Sequence, residues 1–293
     1  MNKVIVITGP TAVGKTKLSI EIAKKYNGEI INCDAVQVYK GLDIGSAKVT
    51  EEEKDGIPHH LFDIKEVAEE YIIFHYQHDC RRLIEEIHSR GKTPILVGGT
   101  GLYIKAALYD YKLSEETNRD TYDNLSNEEI YNELLKLDKN IVIDKNNRRR
   151  LIRALNYYKE NNESIQNNKT NTLLYNTLFI GLTTDRNNLY EKINKRVDIM
   201  IKDGLLEEIK PYYDKNIRTK PLLNAIGYRE IYKYFDGEYT IDEAIEKIKQ
   251  NSRHYAKRQY TFFNHQLPVI WFETDYENFN NTIEKVSNYI DSN

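Results

Sequence analysis

The 293-residue chain has only two cysteines, Cys33 and Cys80, and neither belongs to a C-x-x-C pair. That excludes a disulfide scaffold and a cysteine-rich metal site, and both residues read as reduced thiols. Long hydrophobic runs are missing too. The longest, such as Val4 to Ile7 and Ile95 to Val97, fall far short of the roughly 18 to 20 residues that cross a bilayer, so no membrane span is expected. An excess of positive charge is also lacking: 42 Lys and Arg stand against 45 Asp and Glu, a formal net charge of −3. Such a chain has no global attraction to nucleic acid, and any RNA binding must come from a local basic patch. At the N-terminus, Gly9-Pro10-Thr11 stands where a signal peptide needs its apolar stretch, and the segment lacks the Arg-rich, acid-poor character of a transit peptide. A cytoplasmic protein is expected. What is present is 40% apolar and 30% charged residues, the balance of a folded protein rather than a disordered one. At about 100 to 200 residues per domain, the length predicts one large domain or two modest ones.

Lys3 to Thr8 is short, β-branched and apolar, and it runs through a glycine turn into the helical pattern Leu18, Ile20, Ile22, Ala23. A second strand is expected over Glu29 to Cys33, ending at Asp34, and a third over Pro94 to Val97, ending in Gly98-Gly99-Thr100-Gly101. Between them Ile73, Tyr76, Cys80, Leu83, Ile84 and Ile87 recur at helical spacing. Strands alternating with helices predict an α/β fold with a parallel sheet. From about Tyr111 the strand signals stop. Ser126 with Glu129 forms a capping box ahead of Ile130, Leu134 and Leu135, and a second helix carries Leu151, Ala154, Leu155 and Tyr158 on one face. Leu178 to Thr183 reads as a return to the sheet, and Pro268 to Phe272 as a late strand. The expected organisation is an α/β core over 1–111 and 178–293, with an all-helical insertion over 112–177.

The strongest motif is Gly9-Pro10-Thr11-Ala12-Val13-Gly14-Lys15-Thr16, which fits the phosphate-loop (P-loop) pattern G-x-x-x-x-G-K-[ST] and has the strand before and the helix after that the pattern requires. Glycines let backbone N–H groups turn inward, the helix N-terminus adds positive potential, Lys15 supplies a point charge and the Thr16 hydroxyl can hold Mg²⁺. Such a loop grips a di- or triphosphate. Whether the phosphates are transferred, hydrolysed or simply leave depends on partner residues. Asp34, at a strand's carboxyl end, is expected to face the loop, as a metal ligand, a general base or merely a turn residue. A basic cluster, Lys145, Arg148, Arg149, Arg150 and Arg153, breaks the acidic average, with Arg149 and Arg153 one helical turn apart. Arg253, His254, Lys257 and Arg258 form a second. His59 and His60 lack companions at metal spacing and read as structural.

Several blocks together resemble the tRNA dimethylallyltransferases, also called tRNA isopentenyltransferases: GPTAVGKT at Gly9–Thr16, DAVQVYKGLDIGSA at Asp34–Ala47, GIPHHLFDI at Gly56–Ile64 and LVGGTGLY at Leu96–Tyr103. RLIRAL at Arg150–Leu155, RVDIMIKDGLLEEI at Arg196–Ile209, AIGYREI at Ala225–Ile231 and YAKRQ at Tyr255–Gln259 extend the likeness over nearly the whole chain. The resemblance implies a P-loop NTPase-like core and transfer of a dimethylallyl group from dimethylallyl diphosphate to N6 of the adenosine next to the tRNA anticodon, position 37, with release of diphosphate. It implies Lys15, Asp34 and Thr100 as catalytic residues, with Asp34 the base. The Gly9–Thr16 loop with Arg196 would then hold the diphosphate, and Thr16 would hold Mg²⁺. Asp34, Ala35, Val36, Gln37 and Thr100 would meet the target nucleoside, while Arg149, Arg150, Leu151, Ile152, Arg153, Lys257 and Arg258 would meet the rest of the tRNA.

A bacterial-type enzyme is implied, since no zinc-finger Cys/His pattern follows the C-terminal block, and a monomer is expected. Ala35 where Ser is usual, Val49 for Pro, Asn156 for an acid and Phe262 for Trp depart from the family pattern at local RNA contacts rather than at the phosphate site. Two rival readings share the loop and Asp34. One is an enzyme acting on small molecules, either an isopentenyltransferase for free adenine nucleotides or a P-loop kinase. The other is a non-catalytic RNA-binding protein that uses the loop as a nucleotide switch. A salt-sensitive tRNA complex separates the first rival from the tRNA reading, and loss of function in Asp34→Asn separates the second.

Overall fold

The computed structural model describes residues 3–111, 113, 120–168 and 171–293. The regular elements run β1 (Lys3–Thr8), α1 (Lys15–Lys25), β2 (Gly28–Asn32), α2 (Glu51–Lys54), β3 (His59–His60), α3 (Ile73–Ser89), β4 (Thr93–Val97) and α4 (Gly101–Leu108). Two helices follow, α5 (Asn127–Leu137) and α6 (Arg148–Asn161). The chain then continues through β5 (Asn176–Thr183), α7 (Arg186–Lys202), α8 (Leu205–Asp214), α9 (Lys220–Asn224), α10 (Tyr228–Phe235), α11 (Ile241–Gln266), β6 (Ile270–Glu273) and α12 (Phe279–Asp291). It forms two compact units, Met1–Leu108 with Tyr175–Asn293, and Tyr109–Leu174.

The larger unit is built on a six-stranded sheet in the order β3-β2-β4-β1-β5-β6, with every pairing parallel. The strands are apolar without alternation because a parallel sheet is covered on both faces: Val4, Ile5, Val6 and Ile7 of β1 are all buried. Helices α1, α7, α11 and α12 close one core with Leu18, Ile22, Ile193, Ala256, Val286 and Ile290 against Ile5, Ile7, Ile30, Ile95, Ile180 and Leu182. The expected α/β sheet is therefore present, with two adjustments. The second strand stops at Asn32, two residues short of Asp34, and the two-residue β3 has no counterpart in the sequence pattern, because a strand that short carries no readable alternation.

The smaller unit packs α5 against α6 around Ile130, Leu134, Ile141, Leu151, Ala154 and Leu155. The Ser126 and Thr240 capping boxes start α5 and α11 as the sequence pattern predicts. Two residues of the expected RNA-facing cluster are engaged within this unit instead. Leu151 has no solvent exposure, because its place on the apolar stripe of α6 outweighs its position between arginines, so the expectation that it touches RNA is corrected. The Arg148 guanidinium donates to the carbonyls of Leu125 (2.8 Å) and Tyr122 (2.7 Å), which makes it a tie within the unit. Arg149, Arg150 and Arg153 are exposed and Ile152 is half-buried. The expected boundary at residue 112 lies outside the described residues.

One buried charge stabilises the sheet edge. The Glu29 carboxylate on β2 takes ion pairs from Arg90 (2.6 Å) and Lys92 (2.9 Å) and a bond to the His60 ring (2.7 Å). Burial works against its charge, yet the bonds from Lys92, His60 and Arg90 prevail and hold it at about 2, below the ordinary 4.5. Because the folded value is depressed, this stabilisation is present above pH 4.5 and is lost as pH falls through about 2. Glu29→Gln should lower unfolding stability at pH 7 by about 3 kcal/mol, and urea titrations across pH 2 to 7 should show wild type and variant converging toward the acid end. Curves that remained parallel would refute the assignment.

Candidate active site

The carboxyl ends of β1, β2 and β4 deliver three loops to one side of the sheet, where ligands of open α/β folds bind. A cavity of about 990 Å³ opens there. Two glycines shape the first loop. Gly9 and Gly14 have φ of 133° and 92°, values that an L side chain rarely adopts. A Cβ on Gly9 would run into the Leu182 carbonyl, and one on Gly14 would stand 2.8 Å from the Phe279 ring. Thr11, Ala12, Gly14, Lys15 and Thr16 line the cavity. Gly9, Pro10 and Val13, expected as direct ligand contacts, are buried away from its wall. They hold the loop's shape, and the Val13 carbonyl accepts the Thr274 hydroxyl at 3.0 Å. Lys15 Nζ donates to the carbonyls of Gly9 (3.1 Å) and Pro10 (2.6 Å).

The second loop begins at Asp34, one of whose oxygens accepts the Val36 N–H at 2.8 Å. The Ala35 N–H donates to the Thr100 hydroxyl at 3.3 Å, joining the second loop to the third. Asp34, Ala35, Val36, Gln37 and Thr100 all line the cavity. The Gln37 amide donates to the carbonyls of Ser46 (3.0 Å) and Ala47 (3.2 Å), which folds the segment back on itself. Its far end is held by Glu208 of α8. That carboxylate accepts the N–H groups of Asp43 (2.9 Å), Ile44 (2.6 Å) and Gly45 (3.2 Å) and the Tyr228 hydroxyl (2.8 Å).

Arg196, from α7, completes the charged wall. Desolvation lowers Lys15 to about 7, the neighbouring Arg196 pushes it the same way, and Asp34 opposes both. Arg196 is likewise lowered by burial, with Asp34 and Glu53 opposing. Two partly desolvated cations beside one carboxylate form a site that an anion would stabilise. The Thr16 side chain is exposed. Among the described residues no group of three His, Cys, Asp or Glu could hold a metal ion by itself, so a cation here would rest on Thr16 and on the ligand's own oxygens, an arrangement Mg²⁺ commonly takes with phosphates. His59 and His60 are occupied by the Ile57 carbonyl and Glu29.

Two residues that charge-based reading passed over sit at the centre of the wall. Tyr255 and Gln259 lie one turn apart on α11. The buried Gln259 amide donates to the Gly99 carbonyl (3.1 Å) and accepts the Thr11 N–H (3.3 Å), linking the first and third loops. Tyr255 is raised to about 12 by burial and by Asp34, with Thr100 and Gln259 as hydrogen-bond partners. The usable signal was their i, i+4 spacing, which marks one helix face. Lys257 and Arg258 between them are exposed, with Arg258 at the cavity and Lys257 away from it.

Compared with known proteins, residues 37–266 match the family model described as IPP transferase. The chain is 50% identical over 300 residues to the tRNA dimethylallyltransferase of Anoxybacillus flavithermus, covering 99% of this chain and 96% of that one. Its structure resembles the crystal structure of full-length tRNA isopentenylpyrophosphate transferase from Bacillus halodurans, with a TM-score of 0.79, 42% identity and coverage of 100% and 96%. It also resembles a eukaryotic dimethylallyltransferase captured acting on tRNA, with a TM-score of 0.86 at 32% identity, covering 98% of this chain and 78% of the other. The chain belongs to the IPP transferase family.

Proposed function

We propose that this protein transfers the dimethylallyl group of dimethylallyl diphosphate to N6 of adenosine 37, beside the anticodon of tRNA, and releases diphosphate. The observation that carries the reading is the meeting of Lys15, Arg196 and Asp34 in one cavity. Cleavage of the allylic C–O bond leaves the electron pair on the departing diphosphate, and Lys15, Arg196 and the N–H groups of the loop stabilise that charge as it develops. Thr16 would hold Mg²⁺, which would supply further neutralisation of negative charge on the leaving group. The N6 lone pair forms the new C–N bond, and the amine proton passes to Asp34. One Asp34 oxygen is committed to the Val36 N–H, so the other takes the proton. The Thr100 hydroxyl accepts from Ala35 N–H and lines the cavity, which puts it beside the nucleobase or the diphosphate. Val197, Met200 and Ile248 on the cavity wall suit the five-carbon chain.

The base must leave its stack to reach Asp34, and a single-stranded anticodon loop makes that cheapest. Exposed Arg149, Arg150 and Arg153 on α6 and Lys257 and Arg258 on α11 supply cations for backbone phosphates, with Ile152 and the backbone around Ala35 to Gln37 as closer contacts. The enzyme is proposed to act as a cytoplasmic monomer. Among the described residues no helix is long and apolar enough to cross a membrane.

Incubation with Mg²⁺, dimethylallyl diphosphate and an anticodon stem-loop should add one five-carbon group to a single adenosine, read by mass spectrometry. Prenylation of free AMP in preference to the stem-loop would overturn the tRNA assignment. Asp34→Asn should lower turnover by about 10²- to 10⁴-fold while pyrophosphate binding is kept or tightened, because a repelling carboxylate is gone. A further outcome follows from Lys15. Free, it titrates near 7; beside diphosphate its pKa rises, so binding takes up a proton and affinity falls as pH climbs above about 7. Calorimetry of pyrophosphate binding at pH 8, in buffers of different ionisation enthalpy, should show more proton uptake in wild type than in Lys15→Met; equal uptake would contradict the assignment.

A further inference from the structure

Asn32, the last residue of β2, is neutral, absent from the cavity wall and fully enclosed. Its carboxamide is nevertheless engaged at both ends, with Asp34 and Leu61. Oδ1 accepts the Asp34 N–H at 2.9 Å, while Nδ2 donates to the Asp34 carbonyl at 3.0 Å and to the Leu61 carbonyl at 3.0 Å. One acceptor bond and two donor bonds match the inventory of an amide in a single orientation. The partner peptide group at Leu61 has φ of 63°, in the left-handed region that bulky residues rarely occupy. The chain after it runs along the second loop, with the Ile64 N–H bonded to the Val38 carbonyl at 2.9 Å.

We infer that Asn32 is a positioning residue for Asp34: its buried amide holds the main chain of the base on both sides and so sets the direction from which the carboxylate meets the amine. This rests on the proposed role of Asp34. The physical argument is one of relay. Asn32 Oδ1 fixes the N–H two residues on, and Asp34 Oδ1 in turn fixes the Val36 N–H two residues further. Two such turns in succession convert a fixed strand end into a fixed carboxylate. Without the first turn, the Asp34 N–H and carbonyl lose their partner at the cavity wall, and the Leu61 carbonyl loses its partner in the interior. The backbone must then shift to recover hydrogen bonds. The phosphate loop, built from β1 and α1, has no bond to Asn32 and stays where it was.

The inference is tested by steady-state kinetics with dimethylallyl diphosphate and an anticodon stem-loop, with rates normalised to the folded fraction from thermal melts. Asn32→Ala should lower kcat about 10- to 100-fold, the loss expected when a reacting group is misplaced by about 1 Å. KM for dimethylallyl diphosphate and Kd for pyrophosphate should stay within about threefold, since the charge cradle is untouched. Asn32→Ser should recover most of the lost kcat, because a hydroxyl can also accept an N–H two residues on; it also covers the case in which the alanine variant does not fold. Folded Asn32 variants with wild-type kcat, in an enzyme that Asp34→Asn inactivates, would overturn the inference alone. A fully active Asp34→Asn would overturn the base assignment and this inference with it.

Discussion

The site depends on the hydrogen bonding that aligns the carboxyl ends of three parallel strands. The Thr8 hydroxyl donates to the Gly98 carbonyl at 2.9 Å, the Cys33 N–H to the Val97 carbonyl at 2.8 Å, and the Thr100 N–H to the Cys33 carbonyl at 3.0 Å. These bonds stitch β1 to β4 and β4 to β2 just where the chain leaves the sheet. Each strand end launches one functional segment: the phosphate loop, the Asp34 segment and the Gly98–Thr100 turn. Their relative placement is therefore set by a rigid ladder rather than by flexible loops, which is what a bond-making site requires. Gly98 shows how tight the junction is, since a Cβ there would collide with the Cys33 carbonyl.

Against that frame, the charges do the opposite of what stability favours. Burial penalises both Lys15 and Arg196, and Arg196 depresses Lys15 further. Asp34 offsets part of the cost. A pair of cations held in this way carries destabilisation that a bound anion would relieve. In the proposed reaction the leaving group would meet electrostatics already in place, with no reorganisation left for the moment of bond cleavage. The segments around the charges are held from outside the cavity, by Glu208 at one end of the second loop and by the Gln259 amide between the first and third. The charged groups can then be costly while the scaffold around them stays ordered.

The helical unit follows a different logic. Its core is small and built mainly by α5 and α6, with Ile141 between them, while the arginines of α6 divide by helix face. Arg148 turns inward to carbonyls, and Arg149, Arg150 and Arg153 turn outward. A net-acidic protein can in this way present a local basic surface and keep acidic surface elsewhere.

Much of this was readable along the chain. Apolar continuity in Lys3 to Thr8 followed by G-x-x-x-x-G-K-T determines a strand, an anion-binding loop and a helix, because those features arise from residues adjacent in sequence. Periodicity likewise located α3, α5, α6 and α11, and ordered sequence blocks indicated the family. Tertiary structure alone decided which side chains meet. Tyr255 and Gln259 reach loops more than 150 residues away, Leu151 turns out to be core, and β3 exists only because β2 offers it an edge. The reason is physical: local sequence sets backbone preference through nearest-neighbour sterics and hydrogen bonds. Burial, by contrast, along with charge coupling and the partner of each polar atom, is a property of surfaces that touch only after the chain has folded.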